Sequence, residues 1–162
     1  MIEAPPANDP AALTQYIETR FHTRHREQLP ELVELAVRVE SVHAQAPGVP
    51  AGLSVLLHRM YGELEVHMKK EELILFPAMR QGAGPGIQHP ISVMRSDHDD
   101  HSAEIAELRR LTNNLRLPVN ACRTWTVLYE KLQIFIDDLE AHIHLENEVL
   151  FPQFKTDASA ET

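Results

Sequence analysis

Apolar residues recur at three- and four-residue intervals in four long stretches of this chain, and clusters of proline and glycine separate the stretches. Asp9 is placed to cap a first helix with Pro10 at its first position, and Leu13, Ile17 and Phe21 follow at helical spacing. Pro30 is expected to kink or restart this helix, while Leu32, Leu35, Val39 and Val42 carry its stripe on to a connection at Ala46-Pro47-Gly48-Val49-Pro50. A second helix is expected from about Ala51 to Arg80, bent at Pro77, with Leu53, Leu56, Leu57, Met60, Leu64 and Met68 on one broad face. Residues 81–90, with three glycines and two prolines, read as the hinge between two halves. A third helix is expected from about Ile91 to Leu115 and a fourth from about Val119 to Phe154. His98 would then stand 17 residues before one helix end and His142 23 after the other start, so the connection around Arg116 to Asn120 must absorb height, or a helix end must be irregular.

No strand pattern competes with this reading. The expected fold class is all-α: an antiparallel up-down-up-down four-helix bundle formed by a single domain over residues 1–162, with hairpins at about 10–80 and 90–155 and a frayed tail at 156–162. At 162 residues and 43% hydrophobic, the chain can fill such a core. With 15 Lys and Arg against 24 Asp and Glu, the net charge of -9 argues against binding nucleic acid or an anionic membrane surface. One cysteine, Cys122, excludes an intramolecular disulfide and metal sites built on several thiolates. No basic region leads into an apolar stretch at the N-terminus, and no run of eighteen apolar residues occurs, so a cytoplasmic location without a membrane span is expected.

The unusual count is histidine, at 10, and the histidines are grouped. His67-Met-Lys-Lys-Glu71-Glu-Leu-Ile-Leu75-Phe76-Pro77 aligns with His142-Ile-His-Leu-Glu146-Asn-Glu-Val-Leu150-Phe151-Pro152 at five of eleven positions. Upstream, His22-Thr-Arg-His25 precedes the first segment by 45 residues, and His98-Asp-Asp-His101 precedes the second by 44. The repeat is one helical hairpin long, about 75 residues. A histidine and a glutamate four apart share a helical face, so each hairpin can aim both into the bundle interior. Two such hairpins packed antiparallel predict a two-fold-related dinuclear site, and mixed imidazole and carboxylate ligation favours a transition-metal pair over calcium. Spacing alone does not choose between His22 and His25, or between His98 and His101.

The remaining polar residues have plainer readings. His144 points away from His142 and is expected in solvent, and His43, His58 and His89 have no counterpart in the other half. Glu63 and Asp138 stand one turn before His67 and His142, where a carboxylate can orient a ligand imidazole, although solvated acids fit equally well. Asp97 reads first as a surface acid, and Cys122 and Trp125 as packing near the start of the fourth helix. Glu40-Ser-Val-His43 is a lone Glu-x-x-His, too little for a ferritin-type carboxylate site.

These segments, together with Pro90-Ile-Ser-Val-Met and Ala121-Cys-Arg-Thr-Trp, resemble the hemerythrin-like di-iron proteins of the Repair of Iron Centers family over about Phe21 to Pro152. The resemblance implies two iron ions, oxo- or hydroxo-bridged when oxidised. It implies His22 and His142 on one iron, His67 and His98 on the other, and Glu71 and Glu146 bridging both. It places Glu63 and Asp97 near the site, in iron movement or proton delivery. Long members of the family open with a small cysteine-containing domain, and the chain resembles a short form without it, so activities that depend on those thiols are not carried over. The implied function is a stress-response protein that binds or reduces nitric oxide, or supplies iron to damaged iron–sulfur client proteins. The alternative is a hemerythrin-type reversible dioxygen carrier or sensor.

Overall fold

The computed structural model describes residues 4–154, so the tail expected to fray at 156–162 lies outside the described residues. Four helical rods account for the architecture, and no strand occurs among the described residues. Rod α1 covers residues 10–42 as an α-helix at Pro10–Ile17, a π turn at Glu18–His22 and an α-helix at Thr23–Val42. Rod α2 covers residues 53–80, again with a π turn, at Glu71–Leu75. Rod α3 is the uninterrupted helix Gln88–Leu111. Rod α4 covers residues 123–153 and passes from Arg123–His144 through a π turn at Leu145–Leu150 into a 3₁₀ turn at Phe151–Gln153. Consecutive rods run antiparallel, α1 packing on α2 and α4, and α2 on α3.

Local chemistry sets the rod ends. Asp9 accepts from the Ala12 N–H and Pro10 opens α1, as its missing donor allows. The helix then runs through Pro30 without restarting. Rod α2 begins at Leu53 rather than near Ala51, because Gly52 takes a left-handed conformation that turns the chain. The Glu40 carboxylate caps that start, accepting from the N–H groups of Gly52 and Ser54 at 2.8 and 2.9 Å. Glu40 is thereby a structural cap.

The hinge is shorter than the glycine and proline count predicts, since Pro90 lies in the first turn of α3 and its missing N–H costs nothing there. At the other end α3 stops at Leu111, not Leu115, because Asn113, Asn114 and Leu115 all have positive φ. Rod α4 starts at Arg123, not Val119, with Cys122 as its N-cap. His98 thus lies 13 residues before Leu111 and His142 19 after Arg123, a mismatch of six residues or about 9 Å of rise, which the irregular segment 112–122 absorbs.

Two apolar clusters fill the bundle. The larger contains Leu29, Leu57, Met60, Leu64, Trp125, Leu128, Leu132 and Phe135; the smaller, at the other end, contains Ile17, Phe21, Leu75, Phe76, Met94, Leu150 and Phe151. A buried polar layer separates them.

Candidate metal centre

All six residues of that layer singled out as ligands are at most 1% exposed. His22 closes the π turn of α1; Glu71 opens the π turn of α2, and His67 stands one helical turn before it. His98 sits within α3, and His142 with Glu146 repeats the α2 arrangement in α4. They form two overlapping quartets, His22, Glu71, His142, Glu146 and His67, Glu71, His98, Glu146. In each quartet the ligand atoms lie within 4.8 Å of one another, a spacing that can hold a metal ion. Both glutamates belong to both quartets.

The π turns explain much of the repeat. The carbonyl of each glutamate accepts an N–H five residues on, Glu71 from Phe76 and Glu146 from Phe151. Pro77 and Pro152 follow directly and carry no N–H for an ordinary helical bond, so the wider turn is tolerated there. Each phenylalanine then packs flat on the outer histidine of its own half. Phe76 lies 5.9 Å from His22 at 13°, and Phe151 lies 5.9 Å from His98 at 6°. Phe21 stacks on His142 at 5.2 Å and 7°. Leu-Phe-Pro is therefore the floor of the site and the cause of its backbone shape.

Hydrogen bonds on the outer side fix which ring nitrogens face inward. His22 Nδ1–H donates to Glu72 at 2.7 Å, His67 Nδ1–H to Asp97 at 3.0 Å, and His98 Nδ1–H to the Asn147 side-chain oxygen at 2.8 Å. The two carboxylates offer only acceptors and Asn147 presents its side-chain oxygen, so each neutral ring turns an Nε2 lone pair toward the centre. There the lone pairs meet carboxylates: His22 Nε2 lies 3.1 Å from Glu71, His67 Nε2 3.5 Å from Glu71, His98 Nε2 2.8 Å from Glu146 and His142 Nε2 2.9 Å from Glu146. Among the described residues, His67 Nε2, Glu71 Oε2, His98 Nε2 and Glu146 Oε1 are buried without a hydrogen bond of proper geometry, the last two facing each other at 2.8 Å. Those atoms belong to the four members of the second quartet. Acceptors facing acceptors in a dry core require cations between them.

Protons meet this demand when they are the only cations. Burial disfavours a charged His22, but its hydrogen bonds to Glu71 and Glu72 prevail and raise it to about 9. Burial likewise opposes a charged His98, and contact with Glu146 raises it nonetheless. Burial first, then the charge of Glu146, pushes Glu71 well above the usual carboxylate range. Burial also resists ionisation of Glu146, yet the neighbouring His142 and His98 hold it well below that range. Burial lowers His142 to about 4.

The surrounding acids fall differently from the one-turn spacing argument. Asp97, a surface acid on the residue pattern alone and a neighbour of the site by the family resemblance, bonds His67 directly and is half-buried. Glu63 is exposed and pairs with Arg59 at 3.6 Å rather than with His67. Asp138 does not reach His142; it holds Arg20 at 3.1 Å and accepts from Gln28 at 2.8 Å. Spacing gave no hint of Glu72 and Asn147, although they occupy equivalent repeat positions immediately after the two glutamates. His25 and His101 are buried beside the site, His25 Nε2 lying 3.0 Å from His142 Nδ1. A cleft of about 560 Å³ lined by Glu63, Val66, His67, Asp97 and His101 opens between α2 and α3. His58, His89 and His144 are exposed, and His43 bonds Cys122 at 3.1 Å beside Trp125, away from the polar layer. No helix among the described residues is long and apolar enough to cross a membrane.

Comparison with known proteins agrees with this geometry. Residues 15–154 match the family described as the hemerythrin HHE cation binding domain. The chain is 49% identical over 143 residues to the iron-sulfur cluster repair protein YtfE of Citrobacter koseri, an alignment covering 88% of this chain and 65% of that protein. The proteins of the same name from Cronobacter sakazakii and Escherichia coli are each 48% identical over the same extent. The chain therefore spans slightly less than two thirds of the length of these relatives.

Proposed function

Since the chain belongs to the family of hemerythrin HHE cation-binding domains, we propose that it is a cytoplasmic di-iron protein that serves iron–sulfur cluster repair under nitrosative and oxidative stress. One observation carries the reading: four imidazoles and two carboxylates converge as acceptors on two adjoining points in a dry core. His22 and His142 would hold one iron and His67 and His98 the other, with Glu71 and Glu146 shared. Imidazole and carboxylate together suit iron, and two shared carboxylates reduce the repulsion between two dications. The relatives named as iron-sulfur cluster repair proteins support the cellular role.

Bound iron would supply Lewis acidity and electrons to a diatomic ligand such as nitric oxide. The protein's own groups define the rest. Phe21, Phe76 and Phe151 exclude water from the imidazole faces, and Glu72, Asp97 and Asn147 hold three of the rings in orientation. The cleft between α2 and α3 reaches His67 from the surface and provides a route for a small ligand or for iron.

Two assays on the anaerobic ferrous protein test this function. Mixing with nitric oxide is expected to yield nitrous oxide, and incubation with a damaged iron–sulfur protein is expected to restore its cluster. Failure of both, with a stable and reversible spectrum under dioxygen, would assign the domain to dioxygen carriage instead.

A further inference from the structure

We propose that His25, Gln28 and Asp138 form a one-directional hydrogen-bond chain that fixes the tautomer and orientation of His142, which makes His25 a positioning residue for the His22/His142 metal position. The inference rests on the ligand reading above.

The direction is set at the outer end. Asp138 is only 7% exposed and held by Arg20 at 3.1 Å and Arg24 at 3.4 Å, and a carboxylate offers only acceptors. Gln28 must therefore present its Nε2–H to Asp138, at 2.8 Å, which turns its Oε1 toward His25 Nδ1 at 3.2 Å. His25 then donates Nδ1–H to Gln28, and its Nε2, 3.0 Å from His142, is left as an acceptor. His142 in turn donates Nδ1–H to His25 and points its Nε2 lone pair at the polar layer. Reversing any link would set a lone pair against a lone pair at the next. The arginine-held Asp138 carboxylate thus dictates the protonation pattern of a fully buried imidazole three links away, and the pattern is the one a metal ligand requires.

The two halves of the molecule differ here. His101 is the repeat counterpart of His25, but it meets His67 edge-on, with ring centroids 5.1 Å apart at 81°, and its buried Nδ1 has no hydrogen-bond partner among the described residues. Asp97 takes the Nδ1–H of His67 directly. One metal position is therefore braced through neutral groups ending on an arginine-held carboxylate, and the other by a half-exposed carboxylate.

The test uses the full chain loaded anaerobically with ⁵⁷Fe(II), read by chelator competition and Mössbauer spectroscopy. Gln28→Leu breaks the chain without touching either histidine and is expected to weaken one iron about 10–100-fold and shift only its Mössbauer signal. His101→Leu is expected to leave that signal in place. The double variant Gln28→Glu with Asp138→Asn keeps the direction, because the new carboxylate accepts from both His25 and the new amide; it is expected to give the wild-type signal that Gln28→Leu loses. Thermal melts of the iron-free variants separate loss of fold from loss of positioning. Wild-type protein taking up fewer than two irons would defeat the ligand reading. Two irons in the wild type with both signals unchanged, or both equally changed, in Gln28→Leu would overturn the chain.

Discussion

Glu71→Gln should raise the stability of the iron-free protein and lower that of the loaded protein. The side chain keeps its size and loses its ability to ionise, so the volume of the layer is retained while its proton count changes. Without metal, Glu71 is fully buried and shares its surroundings with Glu146, both reaching within 4.0 Å of His142 Nε2. Because Glu71 lies well above the usual carboxylate range, folding at neutral pH must return to it a proton that the unfolded chain has released, and a glutamine removes that cost, on the order of 2 kcal/mol. At about 2–4 °C per kcal/mol for a chain of this size, the iron-free melting temperature should rise by about 4–8 °C. Loaded protein behaves oppositely, because Glu71 belongs to both quartets. A metal present at about 1,000 times its Kd stabilises by about 4 kcal/mol, so two contribute about 8 kcal/mol, or about 16–32 °C. Losing a shared ligand should remove more than half of that shift. The assay is a pair of anaerobic thermal melts at neutral pH, with and without excess Fe(II), for wild type and variant. A variant that melts lower without iron and keeps the full iron-induced shift would refute the reasoning.

Three further outcomes follow from single features. His67→Ala removes a ligand from one quartet only and should leave one tightly bound iron in place of two by chelator competition. Burial first, then Glu63, raises Glu104 to about 7, so the folded state binds a proton that the unfolded chain releases at its lower, ordinary carboxylate pKa. The sign is that stability falls as pH rises from about 4.5 to 7; Glu104→Gln should accordingly raise the melting temperature at pH 8 and change it little at pH 4. Leu132→Ala, at a fully buried position in the larger apolar cluster, should cost about 2–5 kcal/mol by denaturant titration without altering iron stoichiometry.

The features readable in the sequence are those that repeat or keep a period. His-x3-Glu twice, followed by Leu-Phe-Pro, singled out four side chains that meet in one layer, and the helical stripes foretold α1 and α2 closely. Helix ends defined by backbone conformation were less legible: three consecutive left-handed residues stop α3 at a point where composition alone suggests continuation. The outer shell was least legible, because its contacts cross between rods. Glu72 serves His22 on another helix and Asp97 serves His67 across the α2/α3 seam, whereas spacing along one helix could offer only Glu63 and Asp138 as candidates, and it was the family resemblance that placed Asp97 near the site. His25 looked like an unused neighbour of His22 because its partner, His142, is 117 residues away in the chain. The π turns left a trace in the prolines of the repeat, though nothing in hydrophobic periodicity distinguishes a wide turn from an ordinary one.

Whether six buried side chains hold two irons is decided most directly by iron content after anaerobic reconstitution with Fe(II) and removal of unbound metal. The account predicts two irons per chain in the wild type, magnetically coupled in the Mössbauer spectrum of the oxidised protein, and fewer than one when Glu71 and Glu146 are both replaced by alanine in a chain that still folds. A wild-type value of one or none, or uptake unaffected by the double replacement, would contradict it.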